Sequence, residues 1–266
     1  MRTVGVEEEF LLVDLAGVPV GVATAAAEAA PVELELMQQM LETGTQPCLA
    51  AGDLAGQLAH RRRSAALAAT EVGARLVAVG TSPLPGAPTI TPNPRYERMT
   101  EAFGLTAREQ LTCGCHVHVE VSDDEEGVAV IDRLGPWLPC LLALSANSPF
   151  WQGVDTGYAS YRSQVWRRWP TAGPAGPFGS ARAYADTVDG LLATGAALDP
   201  AMVYFDARLS RNYPTVEVRI ADVCLRQADA LLLAVLVRAL VETAARDALA
   251  GAAAPGTRLE LLRAAS

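Results

Sequence analysis

The sequence predicts an α+β fold: an antiparallel or mixed β-sheet with helices packed mainly on one outer face. Three segments, at residues 4–13, 113–121 and 215–223, alternate polar and apolar side chains with the period of two that marks a half-buried strand. Between and after them stand apolar or helically spaced segments at 53–76, 125–146, 181–194 and 227–249. Their order is irregular, and no internal repeat runs through the chain.

Taken in order, Val4 to Val13 is a strand of Val, Phe and Leu around three glutamates. Residues 14–30, rich in Gly and Ala with a turn at Ala16-Gly17, predict a loop or hairpin. The second half of Leu34 to Cys48 leans to strand. Asp53 stands where a helix N-cap belongs, and the spacing of Leu54, Leu58, Leu67, Val72 and Leu76 predicts a long amphipathic helix. Arg61-Arg62-Arg63 would be its solvated face. Five prolines between Thr81 and Pro94 require an extended loop. A short helix at Arg95 to Phe103 precedes the strand Cys113 to Val121. The helical stretch Glu125 to Ala146 should be kinked or split by Pro136 and Pro139. Asn147 to Gly179, rich in Gly and Pro, is irregular, and loops of that length are usually functional.

Half of the 266 residues are hydrophobic and 19% are charged, which provides for a sizeable core and excludes a disordered chain. The formal net charge of -9 argues against a general nucleic-acid binder, which needs a basic face. All 21 basic residues are Arg. Without Lys there is no Schiff-base amine and no Walker A lysine. Five cysteines beside apolar residues read as reduced, mostly buried thiols. Met1 to Val6 runs straight into Glu7-Glu8-Glu9, unlike a signal peptide, and the longest apolar run, Leu231 to Val237, falls far short of a membrane span. A soluble, cytoplasmic protein with no membrane partner is expected.

The three strands carry the chemistry. On the first, Glu7 and Glu9 share one face while Val4, Val6, Phe10 and Leu12 make the other; Glu8 falls on the apolar face, to be met by a sheet edge or an Arg. On the second, His116, His118 and Glu120 oppose Cys113, Cys115, Val117 and Val119. Cys-x-Cys-His-x-His invites a zinc reading, but strand geometry sends the thiols to the core and the imidazoles away from it. A Glu/His set for magnesium or manganese fits better. On the third, Thr215, Glu217 and Arg219 oppose Val216, Val218 and Ile220. If these faces line one concavity, it holds Glu7, Glu9, His116, Glu120, Glu217 and Arg219, a set suited to divalent metals bridging phosphate oxygens.

These segments resemble the glutamate–cysteine ligase type 2 family, in its bacterial carboxylate–amine ligase branch. The matching stretches are Val4 to Val13, Thr112 to Val119, Pro214 to Arg219 and Asp222 to Cys224. Leu41 to Thr45, Arg95-Tyr96, Ser145 to Trp151, Asp155 to Arg162 and Trp169-Pro170 match as well, in the family's order from residue 4 to about 250. The resemblance implies a glutamine-synthetase-like sheet rolled into a funnel, and ATP-dependent amide formation through a γ-glutamyl phosphate. It implies magnesium or manganese ions held by Glu7, Glu9, His116, Glu217 and Glu42, with Arg219 contacting the γ-phosphate and Arg219 and Glu217 catalytic. Further substrate or nucleotide contacts are expected among Arg162, His118, Glu120 and Asn147, although Arg162 could instead brace its loop and Asn147 cap a helix. Trp151, Trp166 and Trp169 are expected to pack. Partners would be glutamate, with cysteine or another amine, and a homo-oligomer is left open. Residues 1–266 read as one catalytic domain that ends early, at Ser266, relative to the family. Two alternatives stay open: a truncated nucleotide- or metal-binding domain without catalysis, and a zinc-dependent hydrolase.

Overall fold

A computed structural model describes all 266 residues. Strand β1 (Val4–Val13) is followed by the short helix α1 (Ala23–Ala27) and strands β2 (Glu33–Leu34) and β3 (Met40–Gly44). Helix α2 (Ala51–Glu71) leads to β4 (Arg75–Val77), and helices α3 (Pro94–Phe103) and α4 (Leu105–Arg108) lead to β5 (Gly114–Glu120). Then come α5 (Asp124–Leu134), α6 (Leu138–Ser145), the small hairpin of β6 (Phe150–Trp151) and β7 (Val154–Asp155), α7 (Arg162–Trp166) and α8 (Ala181–Ala193). Strands β8 (Ala207–Leu209) and β9 (Thr215–Asp222) precede α9 (Gln227–Leu249) and α10 (Leu259–Ala265).

The main sheet has the order β2-β3-β1-β5-β9-β8, with β4 added beside the far end of β1. Every pairing is antiparallel. The apolar faces of its central strands present Val4, Val6, Val117, Val119, Val216 and Val218 to a buried layer of helices, chiefly α5, α6 and α9. Helix α9 turns one stripe into that layer, Ala230, Leu233, Ala234, Val237, Val241 and Ala244, at the three- and four-residue spacing of a helix face. With the apolar side covered by helices, the opposite side of β1, β5 and β9 is left to carry polar groups.

The prolines divide the 125–146 stretch as expected: α5 ends at Leu134, a single tight turn spans Gly135–Trp137, and α6 starts at Leu138. Asp124–Ser145 is nevertheless long and apolar enough to cross a membrane by composition. Its two halves bury Val128, Ile131, Leu138 and Leu141 in the largest core cluster.

Several local expectations are corrected. Helix α2 begins one turn early, behind Ala50, which makes no side-chain cap; Asp53 lies in its first turn, where a negative charge complements the helix dipole. Leu67 is exposed, because the buried stripe of α2 runs instead through Leu54, Leu58, Ala65, Ala68 and Ala69. The 14–30 loop contains α1. Arg62 is not on a solvated face. Its Nη2 and Nε donate to the two carboxylate oxygens of Glu8 at 2.6 and 2.9 Å, and Nη2 also reaches the carbonyl of Cys224 at 2.7 Å. The lone acid on the apolar face of β1 is therefore neutralised from beneath the sheet, with Arg62 also lying over the Phe10 ring.

Candidate active site

Strand register explains which side chains meet. Glu7 pairs across the ladder with His116, Glu9 with Glu42, and His118 with Glu217, which in turn faces Arg208. Residues directly opposite on one face of an antiparallel pair are natural neighbours, so five strands deliver one continuous polar row. Glu7 lies 3.5 Å from His116 Nδ1 and 3.3 Å from His118 Nε2. His116 Nε2 is 3.7 Å from Glu9, and His118 Nε2 is 4.0 Å from Glu217. Arg208 donates side-on to Glu217 at 2.7 and 3.2 Å, and Arg219 donates to the same carboxylate. Two further bonds from Arg208 Nη1, to the carbonyls of Ala201 and Val203, nearly saturate that guanidinium. Arg219 is buried with no hydrogen-bond partner for Nε, and Nε2 of His116 and of His118, although near carboxylates, make no well-formed hydrogen bond.

Two cavities meet on this row, sharing Glu7, Ala201 and Arg208 in their walls. One, of about 510 Å³, extends under α8 and the β8–β9 loop past Tyr184, Asp189 and Tyr213. The other, of about 260 Å³, extends toward β2, β3 and α3 past Glu35, Glu42, Tyr96 and Trp166, with Arg219 in its wall.

Burial is the first influence on each acid, and its neighbours decide the outcome. Burial would raise Glu7, but His116 and His118 overcome it and hold the carboxyl well below the usual range. Burial likewise opposes ionisation of Glu217, and Arg219 and Arg208 reverse that. Glu9 is pushed up to about 7, by burial and then by the charge of Glu35, against the pull of Arg162, Gly114 N–H and Arg219. Glu42 is raised by burial and its contact with Glu35. His116 is lowered to about 4 by burial and Arg219, so near neutrality its contact with Glu7 is that of a neutral imidazole.

The sign for Glu9 is fixed by this shift. A carboxyl whose folded pKa lies above its unfolded value adds most stability below the unfolded value and loses it as pH rises through the folded one. The melting temperature of metal-free protein should therefore fall, relative to a Glu9→Gln variant, as pH rises from 4.5 to about 7. A constant difference between the two melting curves across that range would contradict the assignment.

Three donor sets bring their ligand atoms within 4.8 Å of one another: Glu7, Glu42 and His116; Glu7, His118 and Glu217; Glu9, Glu35 and Glu42. Oxygen-rich sets with one imidazole at most suit a hard divalent cation of the magnesium or manganese type. The repulsion among Glu9, Glu35 and Glu42 and the two orphaned imidazole nitrogens are what such a cation relieves. The residues fit the group. No cysteine joins a set, and Cys115 lies in the apolar core with Val117 and Val119.

Residues 3–265 match the model of glutamate-cysteine ligase family 2. The chain belongs to this family. A relative from Frankia alni, provisionally named glutamate–cysteine ligase 2-2, is 54% identical over 286 aligned positions, covering 100% of this chain and 75% of its own length. The crystal structure of glutamate–cysteine ligase from Francisella tularensis in complex with AMP superposes with a TM-score of 0.71 at 14% identity, over 99% of this chain and 69% of that one. A bifunctional glutathione synthetase from Pasteurella multocida gives 0.67 at 16% identity, over 90% of this chain and 39% of that one. At such identities the structural likeness is one of fold: the glutamine-synthetase-like ligase fold.

Within this family 2 chain, Glu7, Glu9, Glu42, His116, His118, Glu217 and Arg219 are gathered in one place. Glu120 is not. At the end of β5 it is exposed and accepts from the N–H and hydroxyl of Thr3, at 3.0 and 2.9 Å. Asn147 donates through its side-chain amide to the carbonyls of Ala78 and Val223, both at 2.9 Å, and so staples chain segments together. Arg162 lines neither of the two cavities and is fully buried beside β5. Trp169 is buried against Phe103 and Tyr204, Trp166 packs on Tyr204, and both also wall the smaller cavity. Sequence reasoning missed Glu35 and Arg208. Both carried a readable signal: Arg208 is a lone Arg between Ala207 and Leu209 one hairpin before Glu217, and Glu35 shares the polar side of the alternating run Val32-Glu33-Leu34-Glu35-Leu36 with Glu33.

Proposed function

We propose that this chain is an ATP-dependent carboxylate–amine ligase. It would phosphorylate the γ-carboxylate of glutamate or a related acid and join the acyl group to the amine of cysteine or another small amine. The observation that carries this reading is the meeting of two cavities on one row of carboxyl, imidazole and guanidinium groups. A carboxylate and an amine do not condense in water, so the acid must first be activated. Two substrates must then approach one point from different sides, near in line with the transferred phosphoryl group.

The larger cavity has the volume for a nucleotide, and the smaller one, reaching Arg219, suits the acid and the amine. Arg219, with an unpartnered N–H in a water-poor setting, is placed to stabilise the charge that develops on the transferred phosphoryl oxygens. Glu217 anchors one end of that guanidinium by accepting from Nη1, and Arg208 fixes Glu217 from the other side. Without Lys, phosphate charge has to be met by Arg, backbone N–H groups and metal. Magnesium or manganese held by the three donor sets would supply the remaining neutralising charge. In the second half-reaction the amine attacks the acyl carbon. The new C–N bond forms as the C–O bond to phosphate breaks, and the nitrogen loses a proton.

Incubation with ATP, magnesium, glutamate and cysteine should give ADP release that depends on both amino acids. Glu7→Gln removes a carboxylate shared by two donor sets and both cavities, and should lower that rate by about 10²-fold or more. Nucleotide binding without turnover in the unsubstituted chain would leave a binding module in place of a ligase.

A further inference from the structure

Arg162 lines neither cavity and makes no ion pair with any acid of the row, yet it is the largest side chain that is fully buried, at 1% exposure. No carboxylate lies within ion-pair distance of it. Burying an unpaired guanidinium is costly, so something local must hold it there. Its two terminal nitrogens donate to adjacent backbone carbonyls, Nη1 to Ile220 at 3.3 Å and Nη2 to Arg219 at 3.4 Å.

Those carbonyls mark an irregularity in β9. Cys115 pairs with Ala221 and Val117 with Val218, so β9 spends three steps where β5 spends two. The extra residue is a β-bulge at Arg219–Ile220, and bulges re-aim side chains. Here it sends Ile220 and Ala221 both into the apolar core, while Arg219 remains in the wall of the small cavity.

The surroundings are shaped to admit Arg162. A Cβ on Gly114 would lie 2.3 Å from Arg162 Nη2 and 2.9 Å from its Cζ, so only glycine at this point of β5 leaves room. Trp166 faces both guanidinium groups, with Cζ of Arg162 at 5.5 Å and of Arg219 at 5.8 Å from its ring centre. The backbone of Arg162 is tied to the same strand. Its N–H donates to Ser148 Oγ at 3.0 Å, and Ser148 in turn donates to buried Asp222 at 2.6 Å, which also accepts from Ser160 at 2.9 Å. Main chain and side chain of Arg162 thus both grip residues 219–222.

We propose that Arg162 is a positioning residue: it props the β9 bulge and thereby aims Arg219, and it does not touch substrate. This rests on the ligase reading for its kinetic consequence and on geometry alone for its structural one. Arg162→Lys keeps a positive charge but cannot span two carbonyls. It should lower kcat by about 10- to 100-fold, the scale of a misplaced catalytic group, and leave KM for the acid and the nucleotide within about threefold. Combined with Arg219→Ala, Arg162→Lys should cost nothing further, because an absent side chain cannot be misaimed. A raised KM for the acid, or additive losses in the double variant, would overturn the proposal in favour of a substrate clamp or an independent role.

Hydrogen exchange reads the same claim without turnover. Arg162→Lys should speed exchange at residues 217–222 and leave β1 unchanged, and unaltered exchange there would overturn the proposal. Wild-type protein that makes no ADP while the variant shows this local exchange would refute the ligase reading and leave the positioning role intact.

Discussion

Arg219→Ala should lower amino-acid-dependent ADP formation by roughly 10³-fold, the scale seen when one preorganised charge-stabilising donor is removed from a transition state. Arg219 has a buried, unpartnered Nε and faces the small cavity, so its free hydrogen-bonding capacity has no structural use. The fold should survive the change. Glu217 keeps its two bonds from Arg208, at 2.7 and 3.2 Å, and is not left as an uncompensated buried carboxylate. Steady-state kinetics beside a melting curve separates the two effects: a large fall in kcat with a small shift in melting temperature is the expected pair. Arg219→Lys should recover little, because an ammonium lacks the planar guanidinium whose Nη1 meets Glu217 while its Nε stays free. A variant that turns over at near wild-type rate would remove Arg219 from the chemistry.

Arg62→Ala should have the largest effect on stability, about 3–5 kcal/mol, because it leaves the Glu8 side chain buried beneath the sheet without a partner. Glu8 is 1% exposed and its only side-chain partner is Arg62, at 2.6 and 2.9 Å. In a chain of this length such a loss lowers the melting temperature by on the order of 10 °C. Replacing both residues, Glu8→Leu with Arg62→Met, should restore most of it, since a buried ion pair exchanged for packed apolar groups is often neutral. Denaturant unfolding of the three proteins checks this. A loss below about 1 kcal/mol for Arg62→Ala would mean that water reaches Glu8.

Much of the fold could be read from side-chain alternation and helical spacing. β1 and α9 begin and end where the sequence predicts, and β5 and β9 differ by one residue at their ends. The acids and imidazoles of the site were legible because strand parity is strict: His116 and His118 must share a face, as must Glu7 and Glu9. Parity cannot say where a cavity stops, however. Glu120 obeys the alternation of β5 but lies beyond the polar row, where Thr3 captures it. Nor can it see tertiary partners. Arg62 looked like one of three solvated arginines because its partner, Glu8, is 54 residues away. The bulge in β9 was equally hidden, since Val-Arg-Ile-Ala-Asp gives no sign that β5 is one residue shorter across the ladder. Glu35 enters the site only through the fold of the β2–β3 segment against α3.

The wall common to both cavities has a thermodynamic consequence. Glu7 and Arg208 face each chamber at once, so filling either one alters the field that the other presents. Whatever factor the occupant of one chamber imposes on affinity in the other must be returned in equal measure, because linkage between binding equilibria is reciprocal.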